Sequence, residues 1–280
     1  MKHPSLSSFL LALCAVASLE AQLNAPHVGV VRYPDGAVHA VSGLPANYVV
    51  DPAVAGSADS VSFSNSGGLI AKDGRILLVD AAFKTVAEYD TGESAPVVNV
   101  DGDLNSAVAW LPSRHALLRW NGGSFVMTEV NGTSALGKVT SVRLADAHTA
   151  KLLATNSDGS VSEATVGLPQ GELTSLEVLP GVRGPAFRQH SFVVFRDERG
   201  LEIANSTAIV QTVPLPAADI NVDLTFERMS SDSLHLVSAT TKQNWVLHFG
   251  NSAASLLFQL PEPPARTAQT LPIPSQEAQK

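Results

Sequence analysis

Few residues in this chain have the types and spacing that chemistry needs. Apart from His3, the histidines are His27, His39, His115, His148, His190, His235 and His248, scattered without the close pairs of a zinc motif. His115, His190 and His235 stand out because each lies at or just before an apolar, strand-like run. If those runs were equivalent elements of a ring, the three imidazoles would face one channel, where they could gather a metal or exchange protons. Asp73, Asp158 and Asp197 sit in or beside polar turns and join the same candidate set as acids or oxygen ligands. Trp120, in Trp-Asn-Gly-Gly, is the candidate for an exposed contact, whereas Trp110 reads as core.

Other local patterns fail on their chemistry. Asp101-Gly102-Asp103-Leu104-Asn105 alternates oxygen side chains as a calcium loop does, but Ser106 replaces the turn glycine and Pro112 the bidentate glutamate, which excludes an EF-hand. A lone calcium ion in that loop is the one cofactor the pattern leaves open, and a solvated turn is its plainer reading. Asp90-Thr91-Gly92 is the tripeptide of aspartic peptidases, whose two carboxylates share a proton, and no second copy occurs. Gly92-Glu93-Ser94-Ala95-Pro96 misses the last glycine of a nucleophile elbow. No nucleotide or organic cofactor site is expected, and no catalytic set is assigned.

The elements that would position these residues repeat. Six places share one grammar, a short apolar run leading into a polar turn and then a second run. They are Val28–Tyr33 before Pro34-Asp35-Gly36, Gly68–Ala71 before Lys72-Asp73-Gly74, Ala116–Trp120 before Asn121-Gly122-Gly123, Lys151–Ala154 before Ser157-Asp158-Gly159, Phe192–Phe195 before Glu198-Arg199-Gly200, and His235–Ser238 before Lys242-Gln243-Asn244. Asp-Gly and Asn-Gly admit the positive φ of tight hairpins. The turns recur about every 40 residues, the period of a four-stranded propeller blade, and no 3.6-residue periodicity supports a helical solenoid.

A further strand is expected ahead of five of these hairpins, at residues 60–63, 106–110, 141–144, 184–187 and 222–226. Four of the five end in an aromatic residue, Phe63, Trp110, Phe187 and Phe226, which predicts a recurring buried position between blades. Outer strands are predicted at 85–89, 173–179, 209–213 and 256–260. The first unit shows no inner strand before Val28, so its blade must be incomplete or completed from the other end. The fold class is therefore all-β, a single β-propeller with six blades, the alternative being an irregular β-sandwich.

Residues 60–90, with Ser-Val-Ser-Phe-Ser, Gly-Gly-Leu-Ile-Ala, Asp-Gly-Arg-Ile-Leu-Leu-Val-Asp and Glu-Tyr-Asp, resemble one blade of the NHL and YVTN type of propeller repeat. The resemblance implies the fold and no catalytic residue, since propellers host enzymes, binding modules and scaffolds alike. The Trp-Asp dipeptide of WD40 repeats and the repeating double-glycine signature of kelch repeats are missing.

Flanking the repeats are two segments of different character. Residues 1–21 read as a secretory signal peptide, with Lys2 and His3 before the apolar run Phe9–Ala17 and small residues for cleavage at Ala17 or Ala21. The run is too short for a bilayer span, and no later stretch is long and apolar enough for one. Cys14, the single cysteine, falls within it. Leu13 fills the small-residue slot of a lipoprotein box, so lipidation is not expected, and the mature chain is expected to hold no thiol and no disulfide. Residues 261–280 carry five prolines and read as an extended tail, leaving 27–260 as the folded domain.

Composition narrows the partners. Charged residues make up 16% and the net charge is -8, with no Lys/Arg cluster, which argues against nucleic acid. The expected location is secreted, periplasmic or at the cell envelope, and the expected partner is a protein or a carbohydrate. A non-enzymatic interaction or scaffold module is the favoured function. The alternative is an extracytoplasmic hydrolase or lyase working on carbohydrate, peptide or lactone from a polar central pocket. Convergence of three or more of the His and Asp candidates would favour the alternative. Asn131-Gly132-Thr133 and Asn205-Ser206-Thr207 are glycosylation sequons, relevant only in a eukaryotic secretory pathway.

Overall fold

The computed structural model describes residues 25–206, 208–215, 224–238, 240–250 and 254–264. The signal-peptide reading, Cys14, and all but the first four residues of the proline-rich tail lie outside the described residues. The chain forms a six-bladed β-propeller, and its elements follow one another around the ring. Blade 1 is β1 (His27–Arg32), β2 (Val38–Leu44) and β3 (Asn47–Ala55). Blade 2 is β4 (Ser60–Ser64), β5 (Gly67–Lys72), β6 (Arg75–Asp80) and β7 (Thr85–Asp90). Blade 3 is β8 (Val97–Asn99), β9 (Val108–Leu111), β10 (Ala116–Trp120) and β11 (Phe125–Glu129). Blade 4 is β12 (Lys138–Asp146), β13 (Thr149–Thr155), β14 (Ser160–Gly167) and β15 (Glu172–Arg183). Blade 5 is β16 (Ala186–Gln189), β17 (Phe192–Asp197), β18 (Gly200–Ala204) and β19 (Ile209–Val213). Blade 6 is β20 (Leu224–Ser230), β21 (Ser233–Ser238), β22 (Asn244–His248) and β23 (Leu256–Gln259). Every pairing within a blade is antiparallel, as short hairpin connections require.

Strand periodicity explains why the core is not one mass but six. Successive side chains of a middle strand point to opposite faces of its blade, and each face packs on a different neighbour. Leu117 joins the cluster shared with blade 4, and Leu118 the cluster shared with blade 2. Leu152 and Leu153 divide in the same way between blades 3 and 5. Val31 packs toward blade 6 and Val30 toward blade 2. Blades 5 and 6 share the remaining cluster, around Phe187, Phe226 and Trp245. This two-sided burial is why the middle strands read as nearly continuous apolar runs.

Turn chemistry sets the hairpins where the sequence predicts them in blades 1, 2, 4, 5 and 6. Gly36, Gly74 and Gly159 take positive φ, and in blade 6, which lacks a turn glycine, Lys242 does. Blade 3 differs from expectation by one strand. Its inner strand is the three-residue β8, so Trp110 stands on the second strand and Asn121-Gly122-Gly123 joins the third strand to the fourth. The second-to-third turn is Pro112–His115, where His115 rather than glycine takes φ 49°. Phe63, Phe187 and Phe226 do recur on inner strands as predicted, and all three are buried.

Ring closure follows from blade 1, which has three strands because its inner strand is missing. β1 answers to the second strand of the other blades and runs opposite to their inner strands. β20 and β4 pack against one another in front of it, closing the inner ring across the gap. The approach is close. A Cβ added to Gly29 would run into the carbonyl oxygen and side chain of Met229 on β20.

Polar bonds then fasten this seam. The Arg32 guanidinium pairs with Glu227 Oε1 at 2.7 Å, with Glu227 4% exposed. Tyr33 donates its phenolic hydrogen to the Pro261 carbonyl at 2.5 Å, so the segment just after blade 6 is tied to blade 1. Burial, with help from the Glu262 carboxylate, holds the Tyr33 phenol well above its ordinary value of 10.0.

Arg32→Met should therefore cost about 3 kcal/mol in urea denaturation, because it strands Glu227 without a partner in the seam. Arg32→Met combined with Glu227→Leu should recover much of that loss. Since the folded state keeps the Tyr33 proton more tightly than the unfolded chain, its contribution is complete below pH 10 and is lost as pH rises above it. Tyr33→Phe should accordingly flatten the alkaline decline seen in denaturation curves between about pH 9 and 11.

Candidate functional site at the mouth and floor of the central channel

All five inner strands begin at one face of the ring, and their first residues surround a cavity of about 970 Å³. Strand starts contribute Ser60 and Val61, Val97 and Val98, Lys138 to Thr140, Phe187, and Leu224 to Glu227. Loops between blades add Asp59, Ala95, Pro96, Leu136, Gly137, Gly184 and Pro185, and the second hairpin of blade 4 adds Thr155 to Ser157. Arg32, at the end of β1, completes the wall. The seam of the ring is thus also one side of the cavity.

Much of the lining polarity is already engaged in joining blades. Ser60 donates its hydroxyl to the Pro96 carbonyl at 2.7 Å, and Thr140 to the Ala186 carbonyl at 2.8 Å. Arg32 and Glu227 are paired with each other. Asp59, Lys138, Thr225 and Ser157 are exposed to a ligand, whereas the Asn156 amide donates to the hydroxyls of Ser160 and Ser162. Thr155 Oγ1 is buried without a hydrogen-bond partner. No histidine or cysteine lines this cavity.

Deeper along the same strands the walls become cationic. Arg188 on β16 and Arg228 on β20 directly follow the mouth residues Phe187 and Glu227, and Arg143 on β12 lies three residues beyond Thr140. Arg228 is fully buried, its Nε donates to Asn99 Oδ1 at 2.9 Å, and its guanidinium lies 5.9 Å from the Phe187 ring centroid. Its Nη1 stands 3.2 Å from Asp101 Oδ1. Burial lowers the Arg228 pKa from its ordinary value, Asp101 works against that, and Arg143 adds to it. Burial likewise lowers Arg188, countered by the Glu163 carboxylate that it bonds and reinforced by Arg143.

The residues singled out from sequence occupy different places. Asp73 and Asp158 lie in second-to-third-strand turns of blades 2 and 4, and Asp197 ends β17 at the corresponding turn of blade 5. Asp158 accepts from the hydroxyl and amide of Ser160, which lower its pKa. For Asp197 burial acts to raise the pKa, but hydrogen bonds from Arg199 outweigh it and the net shift is downward. His115 lies in a turn of blade 3, stacked on Trp110 at 6.4 Å, and so precedes the third strand rather than the second. His190 lies at the opposite end of the ring, its Nε2 2.6 Å from the Ser231 carbonyl. His235 is buried inside blade 6, with Nε2 3.2 Å from Asn244 Oδ1. The three imidazoles therefore do not share a channel position. Among the described residues no three His, Cys, Asp or Glu side chains come together as metal ligands.

Two expectations change with the structure. Trp120, expected at an exposed contact, is 9% exposed and packs edge-on against Phe125 at 5.3 Å, because the one-strand offset of blade 3 places it in the core between blades 2 and 3. In the proposed calcium loop, Asp101 instead faces Arg228, while Asp103 caps a short 3-10 turn by accepting from the Asn105 amide. The residues that sequence reasoning missed are Arg32, Asn99, Arg143, Arg188, Glu227 and Arg228. Their signal was a charge or amide inside a short apolar inner strand, as in Ala-Phe-Arg-Gln and Phe-Glu-Arg-Met.

No protein-family model matches the chain, and no curated protein matches it. Solved structures similar to it include Kuenenia stuttgartiensis hydrazine synthase, at 11% identity and TM-score 0.43, covering 81% of this chain and 78% of that one. Kluyveromyces lactis Hsv2 aligns at 10% identity and TM-score 0.41, covering 80% and 81%. Apo AztD from Citrobacter koseri aligns at 15% identity and TM-score 0.45, covering 86% and 72%. At this distance the likenesses carry no statement about activity or ligand.

Packing at the cavity rim yields a direct test. A Cβ at Gly184 would fall onto the Thr155 side chain. Gly184→Ala should lower stability by about 1–3 kcal/mol through overpacking, and Gly184→Ala with Thr155→Ala should recover most of it in a double-mutant cycle.

Proposed function

We propose that this chain is a non-enzymatic propeller that works outside the cytoplasm as an interaction module, holding part of a protein or carbohydrate ligand in the mouth of its central channel. The observation that carries this reading is the cavity itself, which is large enough for a small ligand or a loop and is built by the strand starts and connecting loops of several blades. Its chemistry favours holding over turnover. A general acid or base must be free to meet a substrate proton, and the Glu227 carboxylate is 4% exposed and committed to Arg32. The hydroxyls of Ser60 and Thr140 are committed to carbonyls of neighbouring blades, which leaves them poor nucleophiles without an adjacent base.

What remains for recognition is a mixed surface. Val97, Leu136 and Pro185 offer apolar contact, Ser157 and Thr225 offer hydrogen bonds, and Asp59 and Lys138 offer opposite charges. That combination suits a sugar face or a short peptide segment with polar and apolar sides. The leader-like first 21 residues and the expected absence of cysteine from the mature chain support a site of action beyond the cytoplasm.

Thr225 is exposed within the lining and tests the reading at little cost to the fold. Binding of oligosaccharide and peptide arrays to the purified chain should identify a ligand whose affinity falls at least about tenfold in Thr225→Trp while the melting temperature is unchanged. Recovery of the ligand intact after prolonged incubation is expected. Cleavage of that ligand at a rate abolished by Thr225→Trp would instead make the mouth an active site.

A further inference from the structure

Below the mouth, the channel holds more hydrogen-bond donors than it can satisfy. Asn99, 1% exposed, accepts from Arg228 Nε at its Oδ1, and its Nδ2 has no acceptor. Arg228 Nη1 makes no aligned hydrogen bond despite its 3.2 Å approach to Asp101. The Nε atoms of Arg188 and Arg143 are buried and also without acceptors. Four donors on four consecutive inner strands, β8, β12, β16 and β20, are therefore left unpaired in one layer of the channel.

Charge points the same way. Lys151 reaches Glu163 at 2.6 Å, and Arg188 bonds the other oxygen of that carboxylate. Asp101 stands beside Arg228 and, at 3.8 Å, the exposed His190. The three channel cations Arg143, Arg188 and Arg228 thus face two carboxylates, Glu163 and Asp101, the first of which is shared with the partly exposed Lys151. Burying that excess costs free energy unless an anion accompanies it. Two acceptors nearby are also unpaired: Gln189 Oε1, whose Nε2 donates to the Ser231 carbonyl, and Glu227 Oε2, which is turned toward Arg32 and His235 at the seam.

We infer that this layer is a binding site for a small tetrahedral oxyanion, inorganic phosphate or sulfate, held by Arg228, Arg188, Arg143 and the amide of Asn99. A tetrahedral oxyanion offers several acceptor oxygens in different directions, which matches donors arriving from different strands better than a spherical halide does. The Phe187 ring, which lines the cavity on one side and meets Arg228 on the other, places the site directly beneath the mouth. The site stands whether or not a larger ligand occupies the cavity above.

The test uses the purified full chain and inorganic phosphate, with sodium chloride at matched ionic strength as reference. Isothermal titration should show saturable phosphate binding with a dissociation constant below about 1 mM, together with a rise in melting temperature that chloride does not reproduce. Arg228→Gln should abolish binding, and Arg143→Gln, at a partly exposed position, should weaken it about tenfold. If Arg228→Gln does not fold, Arg143→Gln decides alone. Absence of saturable binding, or an affinity unchanged in Arg143→Gln, would overturn the assignment.

Discussion

The structure depends on one constraint: a ring of blades must meet itself, and here the meeting is made by a blade without its inner strand. In blades 2 to 6 the inner strand lines the axis and the next three strands fan outward. Blade 1 has only the outer three, so β20 and β4 close ranks in front of β1, and Gly29 is needed where β1 presses on Met229. Apolar packing of Val31, Tyr33 and Tyr48 against Met229, Val246 and Leu260 supplies the bulk of the contact. The Arg32–Glu227 pair and the Tyr33–Pro261 bond add direction, which hydrophobic contact does not provide.

That seam also shapes the site. Because β1 runs opposite to the inner strands, its last residue, Arg32, arrives at the face where they begin, and it shares the cavity wall with Glu227. The polarity that closes the ring therefore also removes one carboxylate from chemistry. Deeper in the channel the balance is reversed. Arg143, Arg188 and Arg228 outnumber the carboxylates that reach them, and burial works against their charge. The mouth is charge-paired at the seam, and the layer below it is cationic and short of acceptors.

Reading the sequence succeeded wherever a local rule had no competitor. Asp-Gly turns at 73–74 and 158–159 and Pro-Asp-Gly at 34–36 have few conformations open to them, and the apolar runs beside them could only be two-sided strands. The reading slipped by one strand in blade 3, where Asn121-Gly122-Gly123 is an equally good hairpin turn in the wrong place. The true inner strand is Val97–Asn99, three residues after a proline, and the true turn uses His115 at positive φ. That slip placed His115 in a channel it never meets and Trp120 on a surface it never reaches. The channel arginines were illegible for a different reason. Whether Arg228 faces water or reaches Asn99, across the ring, depends on contacts 129 residues apart in sequence, and no local pattern encodes that distance.

Blade 1 is thus an integral wedge of the ring and not a flap laid against an otherwise closed five-bladed body. Native-state hydrogen exchange measures this most directly, since it reports the free energy of opening amide by amide. The Val31 amide of β1, which lies in the ladder with β2, should exchange with the same opening free energy as the most protected amides of β20 and β4. Exchange of β1 through a local opening several kcal/mol below the global value, with β20 and β4 still protected, would contradict it.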